Sequence, residues 1–224
     1  CRRVDDRCAG DAKRIDVYFK TLYLKYDRLE AIPENLEIIF YPLHQEPEAT
    51  LNYMSEFYAN QVATIENILR CLAPHQVLVV KEHPVDKGAL LRSKFWRLRR
   101  EYSGLYYLPA EIHGRQVLAR ATRVVTLTST VGWEAAVIGK TAYVLGEIFY
   151  DNLGGLKRIS NLDELRRRLR APAQGPAASR EEVLDFVARM ATASYPGNPF
   201  PHAALYSEQN KQRIIDAICD AAGI

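Results

Sequence analysis

The chain has 224 residues, 48% of them hydrophobic and 25% charged, enough to bury a core in one domain with an appendage and too ordered in composition for a fibre or a disordered tail. Thirty Lys and Arg stand against 27 Asp and Glu, a net charge of +3 that argues against nucleic acid as a partner and leaves any basic function local. The apolar run Val77-Leu78-Val79-Val80 falls far short of the roughly 20 residues a membrane span needs. Cys1, Cys8, Cys71 and Cys219 form no CxxC pair, which speaks against a zinc site or disulfide framework and for a reducing, cytoplasmic address. The first residue is Cys and the charged stretch behind it carries no signal core, so the chain is expected to belong to a longer polypeptide.

In chain order, residues 13–28 read as a lead-in helix, within a lead-in and linker of 1–36. From 37 onward, short β-branched runs alternate with segments of helical period, the pattern of βαβ units and a parallel sheet. Strands are expected at 37–43, 76–81, 104–108, 123–128 and 141–145. Helices are expected at 58–71, 90–101, 115–121 and 133–138. The stripe Val62, Ile65, Ile68, Leu69 carries the first of these helices. The fold class is therefore α/β, a Rossmann-like sheet flanked by helices over 37–160. Residues 161–224 are expected to supply helices at 162–169, 180–192 and 207–222 that pack on it, with a Pro/Gly/Ala linker at 171–176.

Parallel sheets bind ligands at the carboxyl ends of their strands, so the residues just after each strand carry the functional reading. After the fourth strand stand Thr128, Ser129 and Thr130, then Gly132 and a helix with Glu134 in its first turn. Hydroxyls, free N–H groups and a glycine allowing close approach suit a phosphate, and Glu134 suits ribose hydroxyls. The same residues also suit an ordinary helix cap. After the second strand comes His83-Pro84, where the proline stops the ladder and holds the imidazole at the edge. The imidazole reads as a hydrogen-bond donor to a phosphate or as a structural strand end. After the first strand, Glu46 and Glu48 offer carboxylates for general-base chemistry or simply a solvated turn.

Other signals are weaker. Gly139-Lys140-Thr141 imitates a P-loop ending, but six residues separate Gly132 from Gly139 and the triplet enters a strand. GxGxxG, HExxH, GxSxG and Asp-x-Asp are all absent. Basic runs at 92–100 and 166–170 read as solvated helix faces, the first with Phe95 and Trp96 as a candidate contact with an anionic membrane surface.

The acidic turn, His83-Pro84, Thr128-Ser129-Thr130-Val131-Gly132-Trp133-Glu134-Ala135 with Gly139-Lys140, and Gly146-Glu147-Ile148-Phe149-Tyr150 occur in the order found in the capsule polysaccharide biosynthesis and export family. That family includes bacterial β-Kdo glycosyltransferases, and the resemblance covers about 40–156. It implies the carboxy-terminal, nucleotide-sugar-binding half of a GT-B glycosyltransferase. The donor is then a CMP-sugar carrying Kdo or a related acidic sugar, and the acceptor a glycan or glycolipid. No metal or further cofactor is implied, and the address is cytoplasmic with peripheral contact at the inner membrane. By the same resemblance His83 and Pro84 meet the CMP, Ser129 and Thr130 hold its phosphate, and Glu46 or Glu48 is the catalytic carboxylate. The turn here reads Gln45-Glu46-Pro47-Glu48 in place of the Glu-Asp-Asp-like residues of the Kdo transferases. Two alternatives stand beside it: a UDP-sugar epimerase or transferase of similar fold, and a non-catalytic nucleotide-binding module.

Overall fold

The computed structural model describes residues 26–45, 48–85, 93–151, 153–172, 178–197 and 207–223. The chain divides into two compact units, 1–179 and 180–224. The first is built on six parallel strands: β1 (Glu37–Pro42), β2 (Gln76–Lys81), β3 (Leu105–Leu108), β4 (Arg123–Thr126), β5 (Thr141–Val144) and β6 (Leu156–Arg158). Their spatial order is β3-β2-β1-β4-β5-β6, the doubly wound order of a Rossmann-type sheet. Five of the strands coincide with the expected ones to within two residues. β6 was not expected: three residues behind Gly154-Gly155, with only Leu156 buried, leave no alternation to read.

All six residues of β2 are buried, as a central strand covered on both faces requires. The helices of this unit are α1 (Ala49–Met54), α2 (Gln61–Cys71), α3 (Ser93–Glu101), α4 (Gly114–Arg120), α5 (Val131–Val137) and α6 (Leu162–Arg170). Asn60 caps α2 by accepting from Ala63 N–H at 3.2 Å. Its apolar stripe of Val62, Ile65, Ile68 and Leu69 then joins Ile39, Leu78, Val80 and Phe95 in the core. α6 packs against α2 and lies in the first unit with the sheet. Two buried polar side chains fasten its end: Gln76 Nε2 donates to Leu169 O at 2.6 Å, and Arg123 Nη2 to Ala171 O at 2.7 Å. The second unit contains α7 (Arg180–Thr192) and α8 (Glu208–Ala222), with Ser207 capping α8 through Asn210 N–H at 3.2 Å.

Four arginines of the basic runs, Arg97, Arg99, Arg168 and Arg170, serve architecture. Phe95 is fully buried, so it is not available to a membrane surface. Arg99 grips Asp27 at 2.9 and 2.8 Å, and Arg97 faces Glu66 and Glu101. Arg170 donates to the carbonyls of Cys71 and Leu72 at the end of α2, and Arg168 pairs with Glu164. Asp27 also covers the edge strand β3: its N–H donates to Tyr107 O at 2.8 Å and its Oδ2 accepts from Tyr107 N–H at 2.7 Å. Of the expected lead-in helix at 13–28, residues 13–25 lie outside the described residues, and 26–28 are not helical.

Candidate functional site

Strand order reverses between β1 and β4, so their carboxyl ends part and leave a crevice there. Ladder pairing between these two strands is limited to Ile39 with Arg123 and Phe40 with Val124, whereas β1 and β2 pair along all six residues. A cleft of about 450 Å³ opens at this edge. It is lined by Pro42 and Leu43 at the end of β1, by Lys81 through Pro84 at the end of β2, by residues 110–115 after β3, and by Ser129, Thr130, Val131 and Glu134 after β4. Five of the residues singled out from the sequence thus share one space: His83, Pro84, Ser129, Thr130 and Glu134.

Thr128 and Gly132 do not line it. Thr128 N–H donates to His44 Nε2 at 3.1 Å. Gly132 is buried, and a Cβ there would stand 2.9 Å from Tyr150 Oη and 3.2 Å from Thr126 Cγ2, so the glycine admits the ring of Tyr150 rather than a ligand. The expectation of free N–H groups at the start of α5 also changes. Ser129 N–H donates to Thr126 Oγ1 at 3.2 Å, Val131 N–H to Ser129 Oγ at 3.3 Å, and Gly132 N–H to Ser129 O at 3.1 Å. Tyr150 Oη also donates to Ser129 O. The turn satisfies these donors internally, and what it offers the cleft is chiefly hydroxyl chemistry. Thr130 is exposed and its side chain caps nothing.

His83 accepts Val85 N–H at Nδ1, 3.3 Å, so the neutral ring carries its proton on Nε2 as a donor. His113 repeats the arrangement at the start of α4, its Nδ1 accepting Arg115 N–H at 3.2 Å. Arg115 meets Glu134 at 3.6 Å, exposed at 79% and therefore a weak pair that a ligand anion can displace. The floor holds two buried charges. Lys81 Nζ donates to Glu82 O at 2.8 Å and Ala110 O at 3.4 Å, and burial lowers its pKa against the opposing pull of Glu82 and Glu111. Glu82 accepts from Tyr107 Oη at 2.8 Å and Tyr26 Oη at 2.9 Å, and burial followed by the Glu82 carboxylate pushes the Tyr26 phenol up. The cleft lining thus includes two imidazoles, a guanidinium and two hydroxyl side chains, a set suited to an anion flanked by polar groups.

Glu46 lies outside the described residues. Glu48 is the residue before α1, makes no side-chain cap, and does not line the cleft. The carboxylates that do line it are Glu82, Glu111 and Glu134. His113 and Arg115 were missed, although the rule that found His83 also applies after β3. His44 was missed because one polar residue in a polar turn carries no sign of burial. Among the described residues, no group of three His, Cys, Asp or Glu is placed to hold a metal ion, and no helix is long and apolar enough to cross a membrane.

Sheet order and cleft together define a Rossmann-type α/β domain with its ligand space at the strand-order reversal. The chain belongs to the capsule polysaccharide biosynthesis protein family, whose profile matches residues 8–187. It is 35% identical over 101 residues to the capsule polysaccharide export protein KpsS of Escherichia coli, a match covering 43% of this chain and 25% of that protein. Similar solved structures include the β-Kdo 2,7 transferase of KpsC from Thermosulfurimonas dismutans, at 20% identity and TM-score 0.44, covering 81% of this chain and 61% of that one. Another is the UDP-GlcNAc 2-epimerase of Neisseria meningitidis bound to UDP-GlcNAc, at 14% identity and TM-score 0.46, covering 73% and 47%. The chain therefore spans less than two thirds of the length of each of these proteins.

Proposed function

We propose that the cleft binds a nucleotide sugar and that the chain is the donor-binding part of a glycosyltransferase acting in surface polysaccharide synthesis. The observation that carries this reading is the convergence of His83, Pro84, Ser129, Thr130 and Glu134 on one cleft at the strand-order reversal, in a member of the capsule polysaccharide biosynthesis family. The donor is a CMP-linked acidic sugar, Kdo or a relative, the acceptor a glycan or glycolipid, and the address cytoplasmic.

In this reading the His83 ring and the hydroxyls of Ser129 and Thr130 meet the phosphate, with Arg115 supplying a cation. Glu134, released from Arg115, accepts ribose hydroxyls. The acceptor hydroxyl forms the new bond at the anomeric carbon while the glycosyl–phosphate bond breaks. By the family resemblance a carboxylate of the turn takes the acceptor proton, Glu46 being the candidate since Glu48 stands outside the cleft lining, and CMP leaves with the bonding electrons. Charge developing on the departing phosphate is met by donors already in place, so the reaction proceeds without a metal.

Calorimetry with CMP, UDP, GDP and ADP, repeated in EDTA, tests the reading. CMP is expected to bind most tightly and equally well with the chelator present. Equal affinity for all four, or loss of binding in EDTA, would overturn it.

A further inference from the structure

His44 stands two residues beyond β1, and its backbone is held at both ends by one amide. Gln61 Oε1 accepts from His44 N–H at 2.8 Å and Gln61 Nε2 donates to His44 O at 3.0 Å. The residue is only 6% exposed. Its Nε2 accepts the N–H of Thr128 at 3.1 Å, directly across the crevice where β1 and β4 have ceased to pair. A ring nitrogen that accepts cannot carry the proton, so the neutral imidazole is protonated at Nδ1, which has no partner among the described residues.

We propose that His44 is a positioning residue of the cleft: as a neutral, Nδ1-protonated imidazole it ties the turn of Thr128, Ser129 and Thr130 to the end of β1 and thereby fixes where the two hydroxyls are presented. Beyond Phe40 and Val124 no main-chain ladder joins these strands, and the side chain takes over the joining. Burial, and next the neighbouring His83, hold the imidazole pKa down to about 4 against the opposite influence of Gln61, so the accepting form persists at neutral pH. The ligand named in the test rests on the nucleotide-sugar reading; the tie itself does not.

Two measurements on the intact chain decide it. Long-range 1H–15N spectra at pH 7 are expected to show one ring with a bare Nε2 and a protonated Nδ1, missing in His44→Gln. A ring protonated at Nε2 would overturn the proposal whether or not any nucleotide binds. His44→Gln keeps an acceptor near the Nε2 position and is expected to hold CMP affinity within about twofold of the parent, whereas His44→Leu leaves the Thr128 amide unmatched and loses about tenfold. A folded His44→Leu with parental affinity would sink the idea, since a merely space-filling histidine changes melting temperature and leaves affinity alone. Absence of CMP binding in the parent chain would count against the nucleotide reading, and the ring tautomer would still decide the tie. If His44→Leu fails to fold, His44→Gln and the tautomer carry the decision.

Discussion

At the scale of single residues, the depressed His44 couples stability to pH. The unfolded ring takes up a proton near its ordinary value of about 6.5, while the folded one resists until about 4. Between those limits the unfolded state binds the proton that the folded state lacks. Stability therefore falls as the pH is lowered through that window, by about 3 kcal/mol in full. Urea midpoints measured at pH 7 and pH 4.5 should show the drop in the parent chain and a much shallower one in His44→Gln. An equal drop in both would assign the acid sensitivity to another group. His44 illustrates why the site was only partly legible in the sequence. His83 stands beside a proline and Ser129 three residues ahead of a glycine, both of which punctuate the chain, whereas His44 becomes distinctive only once Gln61, seventeen residues on, folds back on it.

Among elements, the P-loop imitation at residues 139–141 shows what such a triplet does here. Gly139, at φ 76°, ends α5 in the left-handed conformation that glycine adopts without strain. Lys140 Nζ then donates to the carbonyls of Leu118, Ala119 and Ala121 at 2.7, 2.7 and 2.6 Å, closing the end of α4. Since Lys140 precedes β5, it stands at the amino edge of the sheet, opposite the cleft. Lys140→Met should lower stability by about 2 kcal/mol, since charge-assisted bonds to orphan carbonyls are lost, and leave CMP affinity unchanged. Weakened CMP binding in a folded Lys140→Met would return the lysine to the ligand site. The long elements were readable because their burial is periodic or continuous, as in α2 and β2. α1 was not, since only Leu51 among its six residues is buried and no stripe forms.

For the whole molecule, the described residues hold one parallel sheet, and the chain spans a minor share of the E. coli relative's length. The proposed chemistry needs an acceptor held opposite the donor cleft, and a GT-B enzyme uses a second Rossmann-like half for that. The 224-residue chain is therefore expected to bind nucleotide and show no robust sugar transfer. Rapid transfer to a glycan acceptor by the purified chain would overturn that expectation. Fold class was legible at this scale because strand and helix alternate with crossovers long enough to return the chain parallel. The strand order was not, since no local pattern says on which side of β1 the fourth strand will settle.

The seal on β3 has a consequence for how this molecule meets others. Tyr107 would otherwise offer its amide and carbonyl to any extended segment passing alongside, and both are already engaged by Asp27, which Arg99 holds from the other side. At that position the sheet is closed to lengthening by a foreign strand, and a visiting chain there has side chains, not backbone, to recognise.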